Sequence, residues 1–382
     1  MRRVYLDHGA TSFPKAPGVA ASMAAFLEEA AGSPGRGGHR FSVAATRAVE
    51  DARERAARLL GGDPDRTLLG PGATFWLNAL LRGLLRAGDR VVVSSLEHNS
   101  VMRPLRRLER ERGILVRVVE GEDPLGIPAP TEVAAAVAEA PTRLVVVTHA
   151  SNVTGEVLPV AAIAAAVAPV PVVVDGAQSA GSVPFDFGAS GAAAFTASGH
   201  KGLLGPTGVG VLLLDERLAR ELPPLLDGGT GSRSESEDMP AWLPDRLEAG
   251  TPNTVGIVGL GAACRWLAER TVEAVAAHEA ALARRAAEGL AAVPGVRLHG
   301  WREGRPRTGL LSFTVDGLDP GELAARLDRE HGLALRVGLH CAPAAHRRIG
   351  TFPGGTLRAG FGPFNVAADA DLLVEAVREV VR

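Results

Sequence analysis

Short, almost wholly apolar runs alternate with helical stretches between residues 90 and 215, and no other feature restricts the fold as much. The runs are Val91–Ser94, Leu115–Val119, Leu144–Thr148, Val170–Val174, Ala193–Ala197 and Val209–Leu214. Helical spacing falls between most of them, near 74–87, 99–112, 130–139 and 159–168. A strand that is apolar on both faces must be covered on both faces, so the pattern predicts an α/β domain with a parallel sheet between layers of helices. Ligands of such sheets bind beyond the carboxyl ends of the strands.

The flanking segments complete the outline. Apolar residues at helical spacing (Phe41, Ala44, Ala45, Ala48, Ala52, Ala56, Leu59) predict a helix over 40–60, stopped by Gly61-Gly62. Residues 227–252, rich in Gly and Ser, read as a long loop, and loops of that length are usually functional or disordered. A long helix is expected over 254–291 with a kink. A smaller α+β unit follows, with strands near 296–299, 309–315, 333–337 and 356–360 and helices near 320–331 and 366–381. The expected division is a large domain of 14–254 and a smaller one of 255–382, joined by the N-terminal segment 1–13.

Composition excludes several classes. The formal charge is −2, with acids and bases mixed along 382 residues, so no basic block suggests nucleic acid. No apolar run reaches the length of a membrane span. A strand, Val4-Tyr5-Leu6, begins almost at once, so no signal peptide is expected and the reading is cytoplasmic. Two cysteines, Cys264 and Cys341, make neither a disulfide framework nor a four-cysteine zinc site, and no metal is expected.

Two strand ends carry chemistry. Val172-Val173-Val174 runs into Asp175-Gly176-Ala177-Gln178, and Phe195-Thr196-Ala197 runs into Ser198-Gly199-His200-Lys201. Lys15 and Lys201 are the only lysines; every other basic side chain, histidine apart, is arginine. A guanidinium stays protonated and forms no Schiff base, whereas a lysine amine can be tuned to react. A lysine and an acid at neighbouring strand ends suit pyridoxal phosphate (PLP), whose aldehyde a lysine holds and whose pyridinium nitrogen a carboxylate pairs with. Gly72-Ala73-Thr74 opens a predicted helix, where backbone N–H groups and a hydroxyl make an anion site.

These pieces, in order over essentially the whole length, resemble the class V aminotransferase group of fold-type I PLP enzymes, within it the cysteine desulfurases and selenocysteine lyases. The matching segments are Tyr5–Thr11, Gly72–Thr74, Glu97–Asn99, Ser151–Gly155, Asp175–Gln178, Ser198–Lys201, Glu248–Asn253 and Arg336–Pro343. The resemblance implies a mostly parallel seven-stranded sheet in the large domain and a smaller C-terminal α+β domain. It implies that Ala73, Thr74, Ser198 and His200 hold the cofactor phosphate and that His98 stacks on the ring and shuttles protons. Asn152 and Gln178 would bond the ring oxygen, Asp175 the ring nitrogen, and Lys201 the aldehyde. Gly250 and Thr251 would reach the phosphate of a second subunit, implying a homodimer with shared sites. Arg358 and Asn152 would bind the substrate carboxylate, with Arg36 and His39 matching an active-site loop more loosely.

Cys341 separates the reactions within the group. In the desulfurases a cysteine at this place takes sulfur from L-cysteine as a persulfide and leaves alanine, often handing it to an acceptor protein. His340 and His346 stand nearby, and basic neighbours favour a thiolate. The interval from Cys341 to Arg358 resembles the members with a short, ordered loop. A cysteine desulfurase is therefore expected. A selenocysteine lyase, a C–S lyase or an aminotransferase on the same scaffold stays open, as does a non-enzymatic relative. His8 stands where the family usually has Asn or Ser, and Gly9 replaces an alanine.

Overall fold

The computed structural model describes residues 3–35 and 37–381. The chain enters through strand β1 (Val4–Tyr5) and helices α1 (Val19–Glu29) and α2 (Arg40–Leu60). The large sheet and its helices then run in alternation: β2 (Thr67–Gly70), α3 (Ala73–Leu84), β3 (Arg90–Ser94), α4 (Asn99–Arg112), β4 (Leu115–Val119), α5 (Pro130–Ala138), β5 (Leu144–Thr148), α6 (Val160–Val167), β6 (Val172–Asp175), α7 (Phe187–Ser190), β7 (Ala194–Ser198), β8 (Gly210–Leu214) and α8 (Glu216–Glu221). After the irregular 222–253 segment come α9 (Thr254–Arg270), α10 (Val272–Ala291), β9 (Val296–His299), β10 (Leu310–Val315), α11 (Pro320–His331), β11 (Leu333–Ala334), β12 (Arg336–Gly338), α12 (Pro343–Arg348), β13 (Thr356–Gly360) and α13 (Ala367–Val381).

The large sheet has seven strands in the order β2-β8-β7-β6-β5-β3-β4. All are parallel except β8, which runs against both neighbours. The alternation of side chains along each strand feeds two separate cores. Val92, Val145, Val147, Val172, Val174 and Phe195 pack with α2, α6 and α9 on one face. Val91, Val93, Leu144, Val146, Val173 and Leu212 pack with α3 and α4 on the other. Every residue of β3, β5, β6, β7 and β8 is buried. Edge strand β4 instead alternates, with Leu115 exposed, because only one neighbour covers it.

The smaller sheet, β12-β13-β10-β9, is antiparallel and packs with α10, α11 and α13 around Phe313, Leu357 and Leu373. Strand β1 pairs in parallel with β11, and Val4 and Leu6 join this third core. The helix expected over 254–291 is two helices. Thr271 sits between them at φ 65, and its hydroxyl accepts the Ala274 N–H to cap α10. Among the described residues no helix is long and apolar enough to cross a membrane.

Candidate active site

The parallel strands deliver their carboxyl ends to one edge of the sheet. His98 follows β3, Asn152 follows β5, Asp175 ends β6 and Lys201 follows β7. Strand order reverses beside β5, whose neighbours β3 and β6 lead in opposite directions, and such a switch point leaves a crevice. The smaller sheet closes it with Arg358, in the middle of β13, and with the turn carrying Cys341.

Lys201 lies where its ammonium loses water. Desolvation lowers its pKa to about 8, outweighing the upward pull of Asp175; Arg358 and Arg336 lower it further and Cys341 opposes them. Asp175 is buried and its carboxylate is held from two sides. Oδ1 accepts the Ala177 N–H at 3.0 Å and Oδ2 accepts the Ser100 hydroxyl at 3.3 Å.

His98 is the N-cap of α4, its Nδ1 accepting the Ser100 N–H at 3.0 Å. Burial lowers its pKa, against Asp175, which raises it, so the ring is biased neutral. With Nδ1 occupied as an acceptor, the ring proton sits on Nε2. Ser100 bridges His98 and Asp175 with its two donors, the N–H on His98 Nδ1 and the hydroxyl on Asp175 Oδ2.

Helix α3 begins at Gly72 (φ 149) without a side-chain cap. The Ala73 N–H points to Ser198 Oγ at 3.4 Å, and Thr74 beside it is exposed. A Cβ on Gly210 would come within 2.5 Å of Gly72 Cα, so glycine there lets β8 press against the helix start. His200 is half-buried beside Thr11 Oγ1 at 3.1 Å, and burial lowers its pKa to about 4.

Arg358 is 2 % exposed and donates through Nη1 to Asn152 O at 2.8 Å and through Nη2 to Asp7 Oδ1 at 3.1 Å. Its buried Nε has no hydrogen-bond partner among the described residues. Desolvation lowers its pKa and raises that of Asp7. Gly9 permits this arrangement, because a Cβ there would meet Arg358 Cζ at 2.8 Å.

Cys341 is exposed on a turn in which His340 and Cys341 both have left-handed backbones, φ 46 and 60. Each such non-glycine residue costs about 1–2 kcal/mol, and several bonds hold the turn in place. The Asn99 N–H donates to Cys341 O at 2.8 Å, Asn152 Nδ2 donates to His340 O at 2.5 Å, and His340 Nε2 lies 3.0 Å from Thr356 Oγ1. The cysteine is thus presented on a short, braced turn.

Some expectations meet a different arrangement. His340 and His346 do not surround Cys341 with positive charge. Both rings are buried, their pKa values are pushed down (His346 to about 4), and they bond to Thr356 and Thr351. Asn152 spends one amide hydrogen on the turn, and Gln178 spends one on Gly9 O at 2.9 Å, leaving each a second. His39 is exposed, and its Nδ1 caps α2. Gly250 and Thr251 are exposed, and the Gly250 N–H bonds Gly229 O within the long loop. Arg36 lies outside the described residues.

Other participants were not singled out. Asp7 acts on Arg358, and Ser100 on Asp175, partners distant in sequence. Ser100 carried one usable signal, as the second residue after a strand-end histidine, an N-cap spacing. Glu97, next to His98, is buried and pushed up to about 8 by desolvation; its Oε1 accepts from Ser94 Oγ and the Thr148 N–H, and its Oε2 has no partner among the described residues.

A mostly parallel seven-stranded sheet carrying a strand-end aspartate and a desolvated lysine on the same edge is an α/β architecture. The sequence profile of the family "Aminotransferase class-V" matches residues 4–373, and the chain belongs to that family. It is 34% identical over 383 residues to a protein of Methanothermobacter thermautotrophicus named probable cysteine desulfurase, covering 99% of this chain and 94% of the relative. A protein of Aeropyrum pernix with the same name is 37% identical over 397 residues, covering 99% and 94%. The apo structure of cysteine desulfurase from Thermococcus onnurineus NA1 superposes with a TM-score of 0.92 at 30% identity, covering 99% of this chain and 94% of that one. The Escherichia coli cysteine desulfurase CsdA (S-sulfonic acid) gives 0.87 at 31% identity, covering 99% and 94%.

Proposed function

We propose that the chain is a PLP-dependent cysteine desulfurase that takes sulfur from L-cysteine onto Cys341 and releases L-alanine. The observation that carries this reading is the meeting of Lys201, Asp175, His98 and Arg358 at one crevice with an exposed cysteine on a braced turn. The residues suit the cofactor: an uncapped helix start with Ser198 for the phosphate, a buried carboxylate for the ring nitrogen, and an amine desolvated toward its reactive form. When bound, PLP supplies an electron sink that allows bonds at Cα and Cβ of an amino acid to break heterolytically.

The remaining work falls to the chain. Arg358 binds the substrate carboxylate through its guanidinium, whose Nη1 and Nη2 each keep a second hydrogen beyond those given to Asn152 O and Asp7 Oδ1. Lys201, part neutral near pH 8, accepts the Cα proton. His98 carries its ring proton on Nε2, while the Ser100 N–H holds Nδ1. The Cys341 thiolate forms an S–S bond to the substrate sulfur as the Cβ–S bond breaks, leaving a persulfide on Cys341. The exposure of Cys341 supports onward transfer to an acceptor protein.

Several companion assignments belong to the same proposal. Gly250 and Thr251, exposed on the single chain, serve the site of a second subunit in a homodimer. The pairing of β1 with β11 supports placing 1–13 with the 255–382 unit. Two free cysteines fit a reducing, cytoplasmic setting.

The test is an absorbance spectrum of the PLP-loaded protein before and after L-cysteine, with alanine and reducible sulfur assayed in the same tube. A visible band that shifts, with both products in equal amounts, is expected. A shift without alanine places the substrate elsewhere, and no band after adding PLP refutes the cofactor.

A further inference from the structure

Lys15 is the other of the chain's two lysines, and the chemistry at the crevice does not use it. It lies between β1 and α1, half-buried, and burial lowers its pKa. Its ammonium donates to three oxygens: Thr11 Oγ1 at 3.2 Å, Ser12 Oγ at 3.1 Å and His200 O at 3.1 Å. These replace water that burial removes. An ammonium spreads three donors about one nitrogen, whereas a guanidinium holds its donors in a flat fork. Three oxygens around a single point suit the first and not the second. This is a physical reason for lysine at this place in a chain that otherwise uses arginine.

The His200 carbonyl, directly before Lys201, is where the segment converges. Besides Lys15 it accepts the Ser12 N–H at 2.8 Å, and the Ser12 and Thr11 hydroxyls lie 3.0 and 3.1 Å from it. Farther along, the Leu204 carbonyl accepts the Ala16 N–H at 3.1 Å. The turn between these anchors is closed by two bonds of its own, Leu204 N–H to Lys201 O and Gly205 N–H to Gly199 O, each 2.8 Å. Residues 11–16 therefore hold the Lys201 turn at the residue before the lysine and again at Leu204. The same N-terminal stretch carries Asp7, bonded to Arg358, and Gly9, whose carbonyl accepts from Gln178.

We propose that Lys15 is a positioning residue: its ammonium, seated on Thr11, Ser12 and the His200 carbonyl, fixes the backbone from which Lys201 reaches the cofactor. The inference rests on the reading of Lys201 as the amine that holds PLP. Lys15→Arg isolates the geometry, because it keeps the positive charge that lowers the pKa of His8 and of His200. It also leaves Lys201 as the only lysine in the chain.

The experiment compares full-length wild type, Lys15→Arg and Ser12→Ala in two measurements. The first is amide hydrogen exchange of the cofactor-free protein, read by mass spectrometry over 11–16 and 199–205, with β5 as the reference. The second is a PLP titration in which the lysine adduct is fixed with borohydride and the Lys201 peptide quantified. Losing a charge-assisted bond should speed exchange of both segments in Lys15→Arg by about 10-fold or more. The PLP needed to half-load Lys201 should rise about 3- to 10-fold, as fewer molecules hold the turn in the binding arrangement. Ser12→Ala, which removes one of the three oxygens, moves both readings the same way by less. Wild-type exchange or wild-type loading in Lys15→Arg overturns the proposal, since charge without the three-way geometry then suffices. Where circular dichroism shows Lys15→Arg unfolded, the same two readings on Ser12→Ala decide. A wild type that forms no reducible Lys201 adduct defeats the parent reading, and the exchange rates still decide whether Lys15 holds the turn.

Discussion

Glu248→Ala should unfold the protein several degrees earlier, because one carboxylate ties the long loop to the large domain. Glu248 accepts hydrogen bonds from Arg53 Nη1 at 2.6 Å, Arg53 Nη2 at 3.0 Å and the Leu69 N–H at 2.7 Å. Side-chain exposure is 5% for Arg53 and 12% for Glu248. Truncation leaves Arg53 with Thr67 O at 2.8 Å and the more exposed Glu50 at 3.4 Å, neither able to replace a bidentate buried partner. Stranding a buried charge costs about 3–5 kcal/mol. Unfolding entropy of about 2.1 cal/mol/K per residue gives about 0.8 kcal/mol/K for a chain this long, so Tm should fall by about 4–6 °C. Circular dichroism melts of wild type, Glu248→Ala and Glu248→Gln measure this. Glu248→Gln keeps an acceptor for the Leu69 N–H and should lose less. A loss for Glu248→Ala below about 1 kcal/mol, the scale of an exposed pair, would refute the reasoning and mean that water reaches Arg53.

Further outcomes follow from the same geometry. Cys341→Ser should keep the PLP absorbance and lose sulfur transfer by at least about 100-fold, since a hydroxyl forms no persulfide; alanine production at the wild-type rate would contradict the role of Cys341. Arg358→Lys should raise KM for L-cysteine by about 10- to 100-fold, the value of a charge-assisted hydrogen bond, and steady-state kinetics that show only a kcat effect would move Arg358 off the carboxylate. Glu97 has a folded-state pKa of about 8 against 4.5 when free, so the folded protein binds more protons between those values and stability falls as pH rises through that window. Glu97→Gln should flatten this slope by up to about 1 kcal/mol per pH unit, read from urea denaturation at several pH values; identical slopes would mean Glu97 is ionised throughout.

Much of the scaffold was legible because local pattern and final environment agree. Leu115–Val119 and Leu144–Thr148 fall where the apolar runs place them, and α4 spans the expected Asn99–Arg112. The valines of β3, β5 and β6 read as buried strands because both faces are in fact covered. Thr271 was less legible: the apolar periodicity passes through it, and only its left-handed backbone and capping bond divide the helix. Lys201 and Asp175 stood out through residue type and position after strands. Glu97 and Asp7 did not, because a lone acid looks alike whether solvated or enclosed.

The charge states of the site divide in the same way. Sequence alone determined which chemical groups are available: one lysine after β7, an acid ending β6, a histidine after β3, and a cysteine beside two histidines. It determined the strand-and-helix alternation too, since hydrophobic period is a local property. Tertiary structure decided what those groups are. Burial makes His340 and His346 neutral where their composition suggested positive charge, and Ser100 joins His98 to Asp175 across two strands. It also brought Thr11, Ser12 and Lys15 onto the carbonyl that precedes Lys201. The reason is that ionisation and hydrogen bonding depend on the water removed and the partners supplied, and both come from segments far apart in the chain.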